Sequence, residues 1–187
     1  ICKKDELLII IKNTLTTIAS QHSGDASQIS STHDIELSID CFFHVAALVG
    51  PYHPMPLYDQ VNHQGAKNVV SICKTLNIAK LVFTSSPSTR LDGTDVFNLR
   101  EDQLPEPLSF QHLQEYARTK ALGEEYTLNQ NSQELLTCAI SPHQVYGPMD
   151  NLFLPNFLET AKNGRLRILG HGRNLISMCH VDNVCHA

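Results

Sequence analysis

The stretch DCFFHVAALVGP, residues 40–51, and the stretch AKLVFT, residues 79–84, decide the fold of this chain. Both are compact apolar runs, and each is closed by a proline-containing turn, which is typical of strands buried on both faces. Between them, in residues 56–77, apolar side chains recur at the spacing of a helix that ends near Asn77. A helix that joins two buried strands predicts a right-handed βαβ unit, and hence a parallel sheet.

Alternating helices and strands continue on both sides of this unit. Residues 5–18 are apolar without a clean period and fit a helix or a strand, and residues 27–38 fit a short helix. The remaining segments are a predicted surface loop at 92–113, a helix at 116–128, a strand at 135–140, a helix at 152–162 and short strands at 166–169 and 175–178. The pattern therefore predicts an α/β fold with a doubly wound, Rossmann-like parallel sheet.

The composition indicates a folded domain rather than a disordered or nucleic-acid-binding chain. Of the 187 residues, 42% are hydrophobic and 18% are charged, which is enough to bury a core. The net charge of -5 and the lack of a basic stripe argue against nucleic-acid binding, because phosphates need clustered Lys and Arg. No two of the six cysteines form a C-x-x-C pair, which indicates reduced thiols. Since the chain begins at Ile1 and ends at Ala187 without a helix-stop residue, we expect a fragment of a longer protein.

Short polar or glycine-containing segments follow three of the predicted strands, at residues 46–50, 85–88 and 141–147. The carboxyl ends of parallel strands meet at one edge of the sheet, and ligands of such sheets bind there. We therefore expect these three segments to lie together and to form a binding edge.

The pair Tyr116 and Lys120 is the first candidate for chemistry at this edge. At this i, i+4 spacing both side chains share one face of the predicted helix. A free phenol, with a pKa of about 10, is a poor base at neutral pH, but a neighbouring ammonium favours the phenolate. Lys120 is therefore expected to lower the pKa of Tyr116, which could then exchange a proton with a substrate hydroxyl or carbonyl. The same spacing also fits an ordinary amphipathic pair at the surface.

Hydroxyls, small residues and one carboxylate in predicted turns and at strand ends add further candidates. Ser85 and Ser86 could hydrogen-bond a reacting oxygen, although serines also satisfy loose backbone groups in turns. Ala46 and Ala47 would let a ligand approach the backbone closely, or they pack tightly against a helix. Asp25 could accept a hydrogen bond from an adenine amino group, or it caps the helix that follows.

Ten histidines raise the question of a metal site. The pairs Cys179-His180 and Cys185-His186 repeat at an interval of six residues, but zinc ligands within a pair usually stand closer together. No metal is predicted, and the two pairs are interpreted as a strand end followed by a helix start.

The order and spacing of these segments resemble the extended short-chain dehydrogenase/reductase family over about residues 24–187. The branch that they resemble comprises the 3β-hydroxysteroid dehydrogenases and the decarboxylating sterol-4-carboxylate 3-dehydrogenases. The resemblance is carried by FHVAALVGPYHP (43–54), VNHQGAKNVV (61–70), LVFTSSPST (81–89), YARTK (116–120), SPHQVYGP (141–148) and SMCHVDNVCHA (177–187).

The resemblance implies a role for each motif residue. Ser86 would orient the substrate oxygen, Tyr116 would be the general acid/base, and Lys120 would bind the nicotinamide ribose and hold the tyrosine ionised. The residues implied in cofactor binding are Asp25, Ala26, Val45, Ala46, Ala47, Ser85, Tyr116, Lys120, Pro142 and His143. Those implied in substrate binding are Ser86, Pro87 and Tyr116. Asn62 would stabilise the structure beneath the site.

The function implied by the resemblance is NAD-dependent oxidation of the 3β-hydroxyl of a steroid or sterol, with NADP as an alternative cofactor. Hydride would pass from C3 to the nicotinamide while Tyr116 takes the hydroxyl proton, and a carboxylate at C4 would then leave readily. Residues 1–150 would form part of an NAD(P)-binding domain, and residues 151–187 the start of a substrate-binding lobe. The resemblance also allows for a homodimer, and for a cytoplasmic protein or one associated with the cytosolic face of the endoplasmic reticulum membrane.

The chain departs from the family pattern near its N-terminus. Residues 1–23 hold no glycine, so they lack the glycine-rich loop that lets a helix N-terminus approach the pyrophosphate. The residue that selects NAD or NADP is missing too, and Ser141 stands where the family commonly has an arginine. We predict that this chain by itself binds NAD poorly and turns over little or no substrate. Titration of the isolated chain with NAD tests this, and micromolar affinity would contradict it.

Two other interpretations stay open. A nucleotide-sugar epimerase or dehydratase shares the Ser, Tyr and Lys, and only the apolar VGPYHP loop at residues 49–54 favours a sterol over a sugar nucleotide. A truncated, non-catalytic member that acts as a binding module would also explain the missing glycines, although Ser86, Tyr116 and Lys120 are all retained.

Overall fold

The computed structural model describes residues 3–22, 38–50, 52–168 and 170–187. The chain divides into two compact units, Ile1–Ala139 and Ile140–Ala187. The helices within the described ranges are α1 (Lys4–His22), α2 (Met55–Tyr58), α3 (Gly65–Thr75), α4 (Glu115–Leu128), α5 (Leu154–Lys162) and α6 (Val181–His186). The strands are β1 (Phe42–His44), β2 (Lys80–Thr84), β3 (Leu136–Ile140), β4 (Gln144–Tyr146) and β5 (Met178–His180).

The first unit contains the predicted βαβ arrangement. β1 and β2 pair in parallel, with His44 opposite Phe83, and β3 is the next strand on the other side of β2. The chain between β1 and β2 is helical from Met55 to Thr75, with a π-helical turn at Asp59–Gln64 between α2 and α3. The α/β fold with parallel strand pairing that the sequence predicts is confirmed.

The core of the first unit forms where α3 packs on the sheet. Its buried members are Val69, Val70, Cys73, Ile78, Leu81 and Leu135. The helix stops as predicted at Asn77, whose φ of 53° is a left-handed conformation that Asn tolerates well. The Ile78 N–H then donates to the Cys73 carbonyl at 2.8 Å, a Schellman pattern that returns Ile78 to the core.

The second unit departs from the predicted pair of short strands around a turn. Residues 166–168 form no strand, and the strand predicted at 175–178 is replaced by β5, which begins only at Met178. β5 pairs in parallel with β4, which lies in the segment 141–147 that the pattern assigned to a polar connection. Both strands have three residues, too few for an alternation of polar and apolar side chains to show in the sequence.

Other segments differ from their predicted bounds. Residues 5–18 belong to the helix α1, while β1 covers only part of the run 40–49. Most of the predicted helix at 27–38 lies outside the described residues. The division between the two units falls after Ala139, and the domain boundary predicted at residue 150 stays a prediction. Among the helices of the described ranges, none has the length and hydropathy that crossing a bilayer requires.

Gly123 lets α4 pack closely on the helix that precedes α3. A Cβ at this position would stand 2.7 Å from the Asn62 carbonyl oxygen and 3.2 Å from Phe83 Cζ. The first neighbour is main chain of a buried helix and cannot move aside easily, so α4 itself would have to shift.

We expect Gly123→Ala to lower the free energy of unfolding by about 1–3 kcal/mol, because this steric overlap exceeds the gain in helix propensity. Urea denaturation of the chain measures the change. Glu125→Ala is the matched control, since Glu125 is exposed on the same helix and its replacement should change the unfolding free energy by less than about 0.5 kcal/mol. Equal stability of the Gly123→Ala variant and the wild type would contradict this packing.

Candidate active site

The carboxyl ends of β1 and β2 carry most of the predicted site residues of the first unit. Because the two strands are parallel and in register, their ends lie side by side. Val45 and Ala46 follow β1 and are exposed, while Ser85 and Ser86 follow β2. These segments form the edge at which the sequence predicts a ligand.

Tyr116 and Ser86 come together at this edge. Tyr116 lies in the first turn of α4, and the Ser86 side chain is close enough to its phenol for a hydrogen bond to lower the phenol pKa. Burial has the larger effect and raises the pKa of Tyr116 overall. The prediction that Lys120 lowers this pKa is therefore wrong for this structure, in which the lowering influence comes from Ser86.

Lys120 is held beneath the end of β2. Its side chain is buried, and Nζ donates to the Thr84 carbonyl at 2.6 Å and lies 4.4 Å from the centroid of the Phe83 ring. Burial lowers the pKa of Lys120 to about 8, and the nearby carboxylate of Glu124 acts in the opposite direction. The ammonium thus stays largely charged at neutral pH while it is fixed between the strand end and α4.

The conformation of Ser86 is set by a short helical turn, Pro87–Arg90. Ser86 is the N-cap of this turn, and its Oγ accepts from the Ser88 N–H at 3.3 Å and lies 2.9 Å from the Ser88 hydroxyl. Pro87 stands at the first helical position, where the missing N–H is tolerated. The hydroxyl that faces Tyr116 is therefore positioned by its own turn.

Ser85 differs from its expected environment. Its side chain is buried, and its hydroxyl donates to the Glu124 carboxylate in α4. Any contact of Ser85 with a cofactor would therefore use its main chain. The sequence motifs did not predict a role for Glu124, although its position four residues after Lys120 places it on the same helix face.

Asn62 holds the loop after β1 in place. The side chain is 1% exposed, its Oδ1 accepts from the Leu48 N–H at 2.8 Å, and its Nδ2 donates to the Leu48 carbonyl at 3.1 Å. Nδ2 also lies 3.3 Å from the Thr119 hydroxyl in α4. Small, accessible residues at Ala46 and Ala47 leave the main chain open, and the buried amide keeps it rigid, so this loop fits close approach by part of a dinucleotide.

His44, the last residue of β1, is a buried neighbour of this site. It is 3% exposed, and its ring centroid lies 5.4 Å from that of Phe83. Burial, with a smaller contribution from the charge of Lys120, lowers the pKa of His44 from 6.5 to about 4. The imidazole is therefore neutral in the folded protein at neutral pH.

We expect the chain to lose up to about 3 kcal/mol of stability through His44 as the pH falls from 6.5 towards 4. The unfolded histidine binds a proton in this range while the folded one does not, so acid favours unfolding. Above pH 6.5 the histidine is neutral in both states, and no stability is lost through it. Urea denaturation across this range measures the slope. His44→Phe should reduce the dependence of the unfolding free energy on pH, and His171→Phe, at an exposed site, should not. The same pH dependence in the wild type and both variants would contradict the prediction.

A cavity of about 240 Å³ lies beside Tyr116 in the first unit. His53 belongs to its wall, and Nε2 of this residue lies 3.2 Å from the Val49 carbonyl. The Tyr58 hydroxyl, from the same wall, donates to the Gly50 carbonyl. The lining residues are His53, Met55, Tyr58, Leu113, Gln114, Glu115 and Tyr116. A substrate in this cavity would reach the phenol directly.

The position of four predicted residues relative to this edge stays a prediction. Asp25 and Ala26 lie outside the described residues. Pro142 and His143 lie in the second unit, between β3 and β4, and their role in cofactor binding stays a prediction. Among the residues that the structure describes, no three His, Cys, Asp or Glu side chains could hold a metal ion together.

Comparison with known proteins assigns these motifs to a family. The 3-beta hydroxysteroid dehydrogenase/isomerase family matches residues 4–187. The chain is 34% identical over 166 residues to the human sterol-4-alpha-carboxylate 3-dehydrogenase, decarboxylating, a match that covers 87% of this chain and 44% of that protein. It is also 34% identical over 168 residues to a 2-alkyl-3-oxoalkanoate reductase of Stenotrophomonas maltophilia, which covers 89% and 50%. The chain spans about half the length of the curated relatives it matches.

Solved structures share the fold. MoeE5 in complex with UDP-glucuronic acid and NAD matches with a TM-score of 0.64 and 27% identity over 79% of this chain and 50% of that chain. The UDP-N-acetylglucosamine 4-epimerase from Methanobrevibacter ruminantium M1, in complex with UDP-N-acetylmuramic acid, matches with a TM-score of 0.61 and 27% identity over 79% and 49%. Since the family match and relatives at 34% identity cover most of its length, the chain belongs to the 3-beta hydroxysteroid dehydrogenase/isomerase family.

Proposed function

We propose that the protein containing this chain is an NAD-dependent oxidoreductase that oxidises the 3β-hydroxyl of a steroid or sterol. The observation that carries the proposal is the meeting of the Ser86 hydroxyl with the Tyr116 phenol at the edge of the parallel sheet, with Lys120 held beneath. Membership of the family and the names of relatives at 34% identity support the substrate class. NAD is the proposed cofactor because a solved structure with this fold contains it.

The proposed reaction divides the two hydrogens of the alcohol between two acceptors. Ser86 donates a hydrogen bond to the substrate oxygen and orients it, while the ionised Tyr116 takes the hydroxyl proton. The hydrogen on C3 leaves with its electron pair, which the nicotinamide of NAD accepts when bound, and a C3 ketone forms. Because burial raises the pKa of Tyr116, the phenol is protonated at neutral pH in the unliganded chain, and oxidation should accelerate as the pH rises.

The cavity beside Tyr116 has a lining of both polar and apolar side chains. Met55 and Leu113 supply apolar surface that a steroid would contact, and His53, Gln114 and Glu115 supply polar groups. When the substrate carries a carboxylate at C4, the bond between C4 and the carboxylate can break. Carbon dioxide then leaves, and the new ketone at C3 accepts the electron pair of that bond. Decarboxylation is therefore proposed for such substrates.

A nucleotide-sugar epimerase or dehydratase is the second candidate. Three solved structures with the same fold, at 27% identity, are complexes with UDP-linked sugars, and two of them also hold NAD. Such an enzyme would use the same Ser, Tyr and Lys, so the chemistry of the site does not separate the two classes.

The choice between them is made with the full-length protein that contains this chain. It is given NAD with a 3β-hydroxysteroid, with a 4-carboxysterol, or with UDP-glucose, and NADH absorbance and product masses are followed. We expect NADH and a 3-ketone from the steroid, and carbon dioxide in addition from the carboxysterol. Conversion of UDP-glucose without reaction of either sterol would replace the proposal by the second candidate.

Location and assembly are proposed at the level of the family only. We propose a protein of the cytoplasm, or of the cytosolic face of the endoplasmic reticulum membrane, that acts as a homodimer. Membrane fractionation and light scattering of the full-length protein test these two points separately.

A further inference from the structure

Glu124 is a buried carboxylate that the proposed reaction does not use. Its side chain is 1% exposed, and it lies on α4 one turn beyond Lys120 and two turns beyond Tyr116. At this spacing the three side chains share a helix face. Burial of a carboxylate is unfavourable unless hydrogen bonds and opposite charges compensate it. The partners of Glu124 therefore identify the segments that it connects.

All the partners of Glu124 on the β2 side come from one short segment, residues 85–90. Oε2 accepts from the Ser85 hydroxyl and lies 3.2 Å from the Thr89 hydroxyl. Oε1 pairs with Arg90 Nη1 at 3.0 Å, and the Arg90 side chain is 15% exposed. Both carboxylate oxygens are thus occupied by the segment that contains Ser86.

The same contacts reach Ser86 through its main chain. The Thr89 hydroxyl lies 2.9 Å from the Ser86 carbonyl, and the Thr89 N–H donates to that carbonyl at 3.1 Å. Thr89 is fully buried, so its single hydroxyl proton is shared between Glu124 and the Ser86 carbonyl. A shift of Glu124 would therefore move the turn that orients the Ser86 hydroxyl.

Glu124 also acts on Lys120. The titratable groups around Lys120 are Glu124 and Tyr116 on its own helix and His44 on β1. The strand β2 presents the Phe83 ring and the Thr84 carbonyl. His44 is neutral above about pH 4, so Glu124 is the charge that opposes the loss of the lysine proton by burial.

We propose that Glu124 is a positioning residue that fixes both the Ser86 turn and the charged Lys120 from behind, without itself touching substrate or cofactor. The inference rests on the proposed function. A merely structural ion pair with Arg90 would instead contribute to folding and leave the titration of Lys120 and the rate of the folded enzyme unchanged.

The test uses the full-length protein with Glu124→Gln, Glu124→Asp and the control Glu125→Gln, a neighbour exposed on the same helix. Two properties are measured: kcat and KM for a 3β-hydroxysteroid with NAD against pH, and the titration of Lys120 by NMR with labelled lysine. For Glu124→Gln we expect kcat to fall about 10- to 100-fold with a smaller change in KM. The pKa of Lys120 should fall by about one unit, because the carboxylate charge that favours the ammonium is gone.

Restoration of the charge separates positioning from mere folding. Glu124→Asp should return the Lys120 titration towards the wild type, and Glu125→Gln should change neither property. If Glu124→Gln does not fold, Thr89→Val tests whether the contacts of Glu124 position the Ser86 turn. This variant lacks the shared hydroxyl, so kcat should fall several-fold while Lys120 titrates as in the wild type.

Two results would overturn the inference: an unchanged Lys120 titration in folded Glu124→Gln, or an unchanged kcat in folded Thr89→Val. If no variant and no wild-type protein oxidises the steroid, the proposed function fails instead. The Lys120 titration then still decides whether Glu124 holds the lysine charge.

Discussion

Replacing Tyr116 by phenylalanine is expected to lower kcat for NAD-dependent oxidation of a 3β-hydroxysteroid by about 10²- to 10⁴-fold. The phenol is the group that accepts the hydroxyl proton in the proposed reaction, and phenylalanine retains the ring but has no oxygen. Because phenylalanine fills the same buried space at the start of α4, stability should fall by only about 1 kcal/mol, the value of the lost hydrogen bond with Ser86. The initial rate of NADH formation by the full-length variant, with its urea denaturation, measures both.

The matched control for this change is Tyr126→Phe. Tyr126 lies on the same helix and packs against the core cluster. The variant therefore loses a phenol hydroxyl that lies away from the reacting atoms. Its kcat should stay within about twofold of the wild type. Similar rates in Tyr116→Phe and Tyr126→Phe would show that the proton passes to another group.

Replacing Asn62 by alanine is expected to lower the free energy of unfolding by about 3–4 kcal/mol. The change removes the two hydrogen bonds to the main chain of Leu48 and the contact with the Thr119 hydroxyl, and leaves their polar groups partly buried without a partner. It also frees the loop that contains Ala46 and Ala47, so affinity for NAD should fall in the full-length protein. Urea denaturation of the chain measures the stability.

Asn129→Ala serves as the control for Asn62, because Asn129 is exposed at the end of α4. It should change the unfolding free energy by less than about 0.5 kcal/mol. An equal effect of the two substitutions would mean that the buried amide contributes no more than any surface asparagine.

The features that the sequence predicted well are those with a long or strongly marked pattern. The helix that contains Tyr116 and Lys120 has fourteen residues, and the strand before Ser85 is a run of apolar residues with a clear stop. Asn77 ends its helix in the left-handed conformation, as its residue type predicts. Strand ends follow from such patterns, so the convergence of Ser86 and Tyr116 could be anticipated.

The features that the sequence did not predict depend on which faces become buried. Lys120 and Glu124 are both charged, and no pattern indicates that α4 turns them towards the sheet. The pKa of Tyr116 moves upward because burial exceeds every other influence, and burial is known only once the chain is folded. The strands β4 and β5 have three residues each, and they form through their pairing with each other rather than through a pattern in their own sequences.

The π-helical turn at Asp59–Gln64 gives one continuous helix two directions. Such a turn holds an extra residue compared with an α-turn, so the side chains beyond it are rotated by about 100°. Asn62, inside the wide turn, faces the loop after β1 and α4, whereas Val69 and Val70 face the core. Deleting a single residue here would put these two faces out of phase, so this segment should accept substitutions far more readily than changes in length.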